Sequence, residues 1–266
     1  IFTGMDSFSL LAVPFFILSG VIMNNGGIAL KLVNFAKLFS GKIPGALAQT
    51  NVLGNMLFGS ISGSSVAAAA AIGGVLNPLE EEEGYDKNFS AAVNIASAPI
   101  GLLIPPSGIL IIYALVSGGT SVSALFMAGY LPGILWGLAV MITAYFIAKK
   151  NNYSVAPKMS FNEKLKVFLE AIPSLLLIVV VIGGITAGIF TATEGAAVAV
   201  AYCFILSFFF YKSISLKDMP NILLESGKMT AVIMLVIGAS SVMSWIMAYT
   251  NIPNLITNLL LGISSS

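Results

Sequence analysis

The chain has 266 residues, of which 58% are apolar and 9% charged, with 12 basic and 11 acidic side chains and a net charge of +1. A soluble domain averages about 45–50% apolar and about 25% charged residues. So few charges cannot solvate a 27.7 kDa globule, which excludes an ordinary soluble enzyme. The high hydropathy excludes a disordered chain, and the near-neutral balance gives no electrostatic footprint for nucleic acid. The composition predicts an all-α polytopic membrane protein whose surroundings are a lipid bilayer. Histidine and arginine are absent, so every basic residue is lysine. The single cysteine, Cys203, excludes an intrachain disulfide and a multi-thiolate metal site, and reads as a small apolar side chain in a span. The chain opens Ile-Phe-Thr and closes Ser-Ser-Ser, without a starting Met or basic leader, and is expected to be a piece of a longer protein.

A crossing helix needs about 20 mainly apolar residues. Residues 7–24 qualify, with Pro14 as a kink and Asp6 placed to cap. Residues 28–39 are too short, but their apolar positions recur at helical spacing with Lys31 and Lys37 on the wet side, which predicts an interfacial helix. Residues 45–78 are long enough for one span or two half-spans. Their centre, Gly59-Ser60-Ile61-Ser62-Gly63-Ser64-Ser65, is poor mid-membrane helix, and Glu80–Glu83 closes the segment as a solvated helix end. In 86–117, Pro105-Pro106 removes two backbone donors and forbids a continuous helix. Residues 122–147 read as a clean span and 149–170 as a hydrophilic loop. Residues 172–190 and 196–211 read as spans joined by a break at 191–195, 212–228 as a polar loop, 229–249 as a span, and 252–263 as an amphipathic stretch.

Short cytoplasmic loops collect lysine. Treating 45–78 as a re-entrant hairpin puts all twelve lysines on the cytoplasmic side, whereas one full crossing there would put Lys87 and Lys149–Lys166 outside. The hairpin is therefore favoured. Span 7–24 with its amphipathic helix is then repeated, upside down, by 229–249 with 252–263. Inverted repeats with broken helices point to a secondary transporter with a midplane site.

The candidate functional residues lie in the two interrupted segments. A hairpin tip leaves backbone N–H and C=O groups free at mid-bilayer, tolerable only if buried or lining a wet cavity. Ser60, Ser62, Gly63 and Ser64 offer the hard hydroxyl and carbonyl oxygens that suit Na⁺, and helix N-termini beside Ser64 and Ser65 suit a carboxylate. The unwound stretch supplies Gly101, Ile104 and Pro105 to the cation and Ser107 to the substrate, provided it faces the tip. Asn51 and Asn55, one turn apart, serve either substrate binding or interhelical hydrogen bonding. Glu194 follows Thr191 and Thr193 and is expected to sit in the first turn of a capped helix.

Enzyme readings fail on the residues: a serine nucleophile at Ser60 or Ser62 lacks a histidine base, no paired membrane aspartates occur, and no phosphate-binding Gly-Lys motif appears. A channel using the re-entrant loop as a filter is the rival in another class, and an accessory scaffold without a site of its own is a second.

The runs 5–20 (MDSFSLLAVPFFILSG), 60–67 (SISGSSVA), 104–107 (IPPS), 128–133 (AGYLPG) and 188–194 (GIFTATE) resemble the large membrane subunit of tripartite ATP-independent periplasmic (TRAP) transporters over the whole length. The resemblance implies an elevator-type secondary transporter in the bacterial cytoplasmic (inner) membrane. It also implies a Na⁺ gradient as driving force, a periplasmic binding protein that delivers an organic acid such as sialic acid or a C4-dicarboxylate, and a small membrane subunit. The family's hairpin-tip Ser-Gly-Ser falls on Ser62, Gly63 and Ser64, and its unwound Pro-Pro on Pro105 and Pro106. The expected division is a span and arm (1–42), a transport-domain half (43–118; hairpin 43–80, broken helix 86–117), mainly scaffold (119–228), and the start of a second repeat (229–266). Ala192 stands where the family's Thr-Pro-Thr-Glu variant has proline, and the family's second hairpin lies beyond residue 266.

Overall fold

The computed structural model describes residues 8–41, 43–117, 120–155 and 159–263, and among them it is helical without strands. Asp6 lies outside the described residues. A short 3₁₀ turn, Phe8–Leu11, leads into α1 (Ala12–Asn25), and Gly27, at φ +72°, redirects the chain into α2 (Ile28–Ser40). The hairpin consists of α3 (Ala46–Ser62) and α4 (Ser65–Glu82). The broken segment follows as α5 (Lys87–Ser97), the single turn α6 (Ile100–Leu103) and α7 (Gly108–Val116). The long helices are α8 (Val122–Lys150), α9 (Phe161–Thr186), α10 (Ala192–Ile205) and α11 (Met219–Tyr249), with α12 (Ile252–Ile263) last. Five helical stretches are long and apolar enough to cross a membrane, and the pair 87–103 and 108–114, bent by 40°, makes a sixth if counted as one span.

Two helices begin earlier than hydropathy predicts. Residues 161–170 and 219–228 are helix, not loop. A Ser160–Glu163 capping box starts α9, and Pro220 sits in the first turn of α11. Charged residues on an exposed helical turn cost little in water, so hydropathy marks the part of a helix that crosses and not where it starts. The break before α10 behaves as predicted: Thr191 caps the helix, Glu194 returns a bond to the Thr191 N–H at 2.8 Å, and Glu194 is exposed.

Residues 45–78 form a helix pair folded back on itself, as the contacts at the foot of the segment show. The start of α3 reaches the end of α8, where Ala46 N–H donates to the Ser154 carbonyl at 3.4 Å. Ser154 Oγ also donates to Glu83, just past α4, at 2.8 Å, and the Tyr153 hydroxyl accepts from Asp86 N–H, before α5, at 3.0 Å. Both ends of the hairpin therefore lie beside the end of α8. Helix α2 runs between the hairpin and α9, with Ile28, Leu32, Val33 and Ala36 buried. Helix α1 packs on α10 and α11 on one side and touches α3 and α7 on the other. Helix α8, expected with the scaffold, lies against α3, α5, α6 and α7. Its Gly129, Gly133 and Gly137 form a stripe where a Cβ would run into the Leu103 carbonyl, Ile104 and Met56 respectively, so close approach depends on small residues.

Candidate functional site

The hairpin tip and the helix break meet. Helix α3 ends at Gly63 in the left-handed region, φ +60°, a conformation that costs glycine little. A Cβ on Gly63 would lie 2.8 Å from the Pro106 carbonyl oxygen and 3.3 Å from the Gly108 nitrogen. One turn earlier, Gly59 faces Gly101 backbone to backbone, so a Cβ on either would overlap the other. On the far side Gly20 of α1 lies against Ser62, its virtual Cβ 3.2 Å from the Ser62 Cβ. The tip is thus enclosed by the break of one element and the wall of another.

Four helix ends converge there. From one side come the C-terminus of α3 and the end of the α5–α6 arm. The Gly63 N–H takes the Gly59 carbonyl at 2.9 Å, which leaves the carbonyls of Ser60, Ile61 and Ser62 beyond the intrahelical ladder. Beyond α6 the chain is extended at Ile104, and the carbonyls of Ile104, Pro105 and Pro106 accept no hydrogen bond among the described residues. From the other side come the N-termini of α4 and α7. Ser64 caps α4, its Oγ accepting from Ala67 N–H at 3.3 Å. Ser107 caps α7, accepting from Leu110 N–H at 3.4 Å while donating to the Leu102 carbonyl at 2.6 Å. Carbonyl ends carry about half a negative charge and N–H ends about half a positive one. The arrangement can therefore hold a cation and an anion side by side with no ionisable side chain in 59–65 or 101–108.

Of the residues singled out in the sequence, Ser62, Gly63, Ser64, Gly101 and Ser107 are brought together here; Ile104 and Pro105 lie in the connecting break, the Ile104 side chain against Gly133 of α8. Ser65 is the half-buried first residue of α4. Ser60 is buried on the same turn, but its hydroxyl is folded back onto the Leu57 carbonyl at 2.8 Å, leaving its own carbonyl as the available oxygen. Ser62 Oγ stands 3.4 Å from the Ser64 carbonyl, a long contact that leaves it free to turn. Asn51 and Asn55 are not at the tip. At 1.5 Å per residue they lie roughly 18 and 12 Å below Gly63. There Asn55 Nδ2 reaches Asn51 Oδ1 at 2.8 Å, Asn94 Oδ1 at 3.0 Å and Ser97 Oγ at 2.8 Å, and Asn94 Nδ2 donates to the Ala69 carbonyl at 2.9 Å. The pair pins α3 to α5, the interhelical alternative. The charged run also divides: Glu81–Glu83 are exposed, but Glu80 is fully buried, not solvated.

Sequence reasoning missed Gly59 as part of the tip contact, and Asn94 and Ser97 as partners of Asn55. A signal existed for each: Gly59 precedes Gly63 by one helical turn, and Asn94 and Ser97, three residues apart, share one face of their helix.

Hard oxygen donors without histidine or thiolate suit a small hard cation such as Na⁺. The described residues include no group of three His, Cys, Asp or Glu side chains that could hold a metal ion. The chain is an all-helical membrane protein in which a helical hairpin docks on a broken helix. The comparisons make that class specific. The family model for the tripartite ATP-independent periplasmic transporter, DctM component, matches residues 1–266. The chain is 41% identical over 263 residues to the sialic acid TRAP transporter large permease protein SiaM of Vibrio cholerae, covering 99% of this chain and 60% of that protein. It is 40% identical over 266 residues to the C4-dicarboxylate TRAP transporter large permease protein DctM of Rhodobacter capsulatus, with 95% and 60% covered. It is 51% identical over 263 residues to the uncharacterized protein YgiK of Salmonella typhimurium, with 99% and 60% covered. The chain belongs to the DctM family of TRAP transporter large permeases and spans about 60% of the length of these relatives.

Proposed function

We propose that this chain is the first repeat and connecting spans of a permease that imports an organic acid anion with Na⁺. The observation that carries the reading is the meeting of two helix C-termini and two helix N-termini at Gly63 and Pro106. Na⁺ is a transported substrate here. It sits among the carbonyls of Ser60, Ser62, Gly63, Gly101, Ile104 and Pro105, with the hydroxyls of Ser62 and Ser64 in reach. The carboxylate faces the N–H ends capped by Ser64 and Ser107, beside Ser65. Each ligand is stabilised by the other's charge, so neither binds well alone, and this is the physical basis of coupling.

The body that moves comprises the hairpin and broken helix of 43–117 together with α8, whose glycine stripe packs on α6. Helices α1, α9, α10 and α11 form the fixed side, and α2 is the arm between them. The complete machine works in the bacterial inner membrane with a small membrane subunit and a periplasmic binding protein that delivers a carboxylate such as sialic acid or a C4-dicarboxylate.

The test is uptake into proteoliposomes carrying the full-length permease, its small subunit and its binding protein, comparing an inward Na⁺ gradient with K⁺, for wild type and Ser64→Ala. Uptake that needs Na⁺ and the binding protein, with weakened Na⁺ dependence in the variant, supports the reading. Uptake indifferent to Ser64 moves the cation site elsewhere. Flux that follows the solute gradient without Na⁺ or binding protein establishes a passive pore instead.

A further inference from the structure

At the foot of the hairpin, away from the tip, a carboxylate is buried without a partner. Glu80 is 0% exposed, and neither of its oxygens has a hydrogen-bond partner among the described residues. Around it the Nδ2 of Asn51, the hydroxyl of Ser90 and the hydroxyl of Tyr85 are also buried and unpartnered. Asn51 comes from α3, Glu80 from α4, Tyr85 from the turn after α4 and Ser90 from α5, so the pocket joins every element of the hairpin's foot. From Asn51 the polar contacts continue through Asn55 to Asn94 and Ser97, toward the broken helix.

We propose that Glu80 is a proton-binding site within the hairpin body, held there as the neutral acid. A buried carboxylate without a counter-charge costs several kcal/mol. Among the described residues no lysine is paired with Glu80: Lys87 pairs with Glu81 at 2.6 Å, and Lys37 of α2, itself held below the usual lysine range by burial, makes no ion pair with it. No ionisable side chain lies on α3. Asp86 accepts the Phe89 N–H at 2.9 Å as the cap of α5. Tyr85 is stacked on Tyr153 of the α8 end at 4.2 Å, and burial pushes its hydroxyl up to about 12, so it stays a neutral donor or acceptor. Burial likewise pushes the Glu80 carboxyl above the usual carboxylate range, and outweighs the opposing pull of the Ser90 hydroxyl and Asn51 amide, which lie beside it short of full hydrogen-bond geometry.

Asn51 also argues for a proton over a metal cation. Its Oδ1 is occupied by Asn55, which leaves N–H donors to face Glu80. An N–H repels a metal ion but accommodates a carboxyl group. In the neutral acid the added proton gives Glu80 a donor of its own, for which Tyr85 or Ser90 is the acceptor. None of this depends on Na⁺ coupling at the tip, and the two readings fail separately.

The sign of the linkage is fixed. Below the ordinary glutamate value of 4.5 both folded and unfolded chains hold the proton and the contribution of Glu80 is fully present. As pH rises, the unfolded chain releases its proton first, and stability declines until the folded carboxyl itself titrates. The test uses the full-length permease with its small subunit, as wild type and Glu80→Gln, a neutral isostere. Melting temperatures are expected to match near pH 5. The variant then gains on wild type as pH is raised toward 8, and a protonated-carboxyl infrared band present in wild type at pH 7 is lost in the variant. A gap that is the same at every pH, or no such band, overturns the proposal. Stabilisation of wild type but not Glu80→Gln by Na⁺ at pH 8 also overturns it, by placing a metal ion in the pocket. Should Glu80→Gln not assemble, Glu80→Met, which lacks the titration too, is read the same way.

Discussion

The tip and the foot of the hairpin, two ends of the same pair of helices, are built from different materials. At the tip, glycines and prolines bring main chain against main chain, Gly59 on Gly101 and Gly63 on Pro106. The polar groups there are carbonyls, N–H ends and two capping hydroxyls. At the foot the polar groups are side chains: Glu80, three asparagines and two serines, most of them fully buried. Main-chain oxygens are fixed by helix geometry and carry no proton to lose, so the tip is suited to a metal cation across the physiological pH range. A buried carboxyl is suited to a proton. The difference also shows where mutation reaches each end: the tip is sensitive to added bulk, and the foot to removed hydrogen-bonding capacity.

The largest effect expected is from bulk at the tip. Gly59→Val places side-chain atoms into the Gly101 backbone, which cannot yield as a flexible side chain does. Overpacking of this kind costs about 1–3 kcal/mol or more, and here it also separates the tip from the break. Na⁺-dependent uptake by the full-length complex is expected to be abolished, together with a fall in melting temperature. Gly74→Ala, on the same hairpin where a Cβ meets nothing within 4 Å, is the matched control and is expected to be neutral or slightly stabilising. Equal losses in both variants would break the comparison.

How far these ends were legible in the sequence follows from their materials. Helix breaks are written in residue types: Gly63, Pro105 and Pro106 declare interruptions wherever they stand, so the hairpin and the broken helix were readable. The function of Ser64 and Ser107 as caps follows from position beside those breaks. Partner choice across helices is not written that way. Asn51 and Asn55 announce a polar face, but not whether it meets substrate or Asn94, because that depends on which helix packs there. Glu80 stands in a run of four glutamates, and only the helical phase relative to Leu76, one turn earlier and buried, turns it inward. The early starts of α9 and α11 were hidden because hydropathy reports the membrane and not the helix.

Removing capacity at the foot is the next largest effect. Asn55→Leu removes the donor that Asn51 Oδ1 and Asn94 Oδ1 share, while Ser97 keeps its bond to the Val93 carbonyl. An unsatisfied buried group costs about 1–3 kcal/mol, although polar contacts between membrane helices average nearer ~0.6 kcal/mol. A loss of about 1–3 kcal/mol in denaturant or thermal stability is expected, with the apparent affinity for Na⁺ changed little in the molecules that fold. A large change in Na⁺ affinity would return Asn55 to the binding site. Smaller again is Ser107→Ala, which removes a helix cap worth about 0.5–2 kcal/mol and frees the Leu102 carbonyl. The expected readout is a raised KM for the organic acid with Ser107→Thr partly restoring it. An unchanged KM would mean that the α7 N-terminus does not meet the carboxylate.

The smallest effect separates charge from packing in the arm. Lys31 of α2 meets Glu170 of α9 at 2.7 Å, with side chains 28% and 39% exposed, and its ammonium lies 5.9 Å from the Tyr211 ring centroid. Half-exposed pairs of this kind contribute about 0–1 kcal/mol. A double-mutant cycle of Lys31→Met and Glu170→Gln is therefore expected to give a coupling below ~1 kcal/mol that disappears in molar salt, where the Debye length is about 3 Å. The arm's attachment comes from Ile28, Leu32 and Val33, each 0% exposed, and apolar burial is insensitive to such screening. Apolar contact resists separation without fixing a register, which suits the arm proposed above, a helix that stays attached while the hairpin shifts. A coupling that is large and survives salt would mean instead that the arm is locked to α9 at one position, and the fixed and moving sides would have to be divided elsewhere.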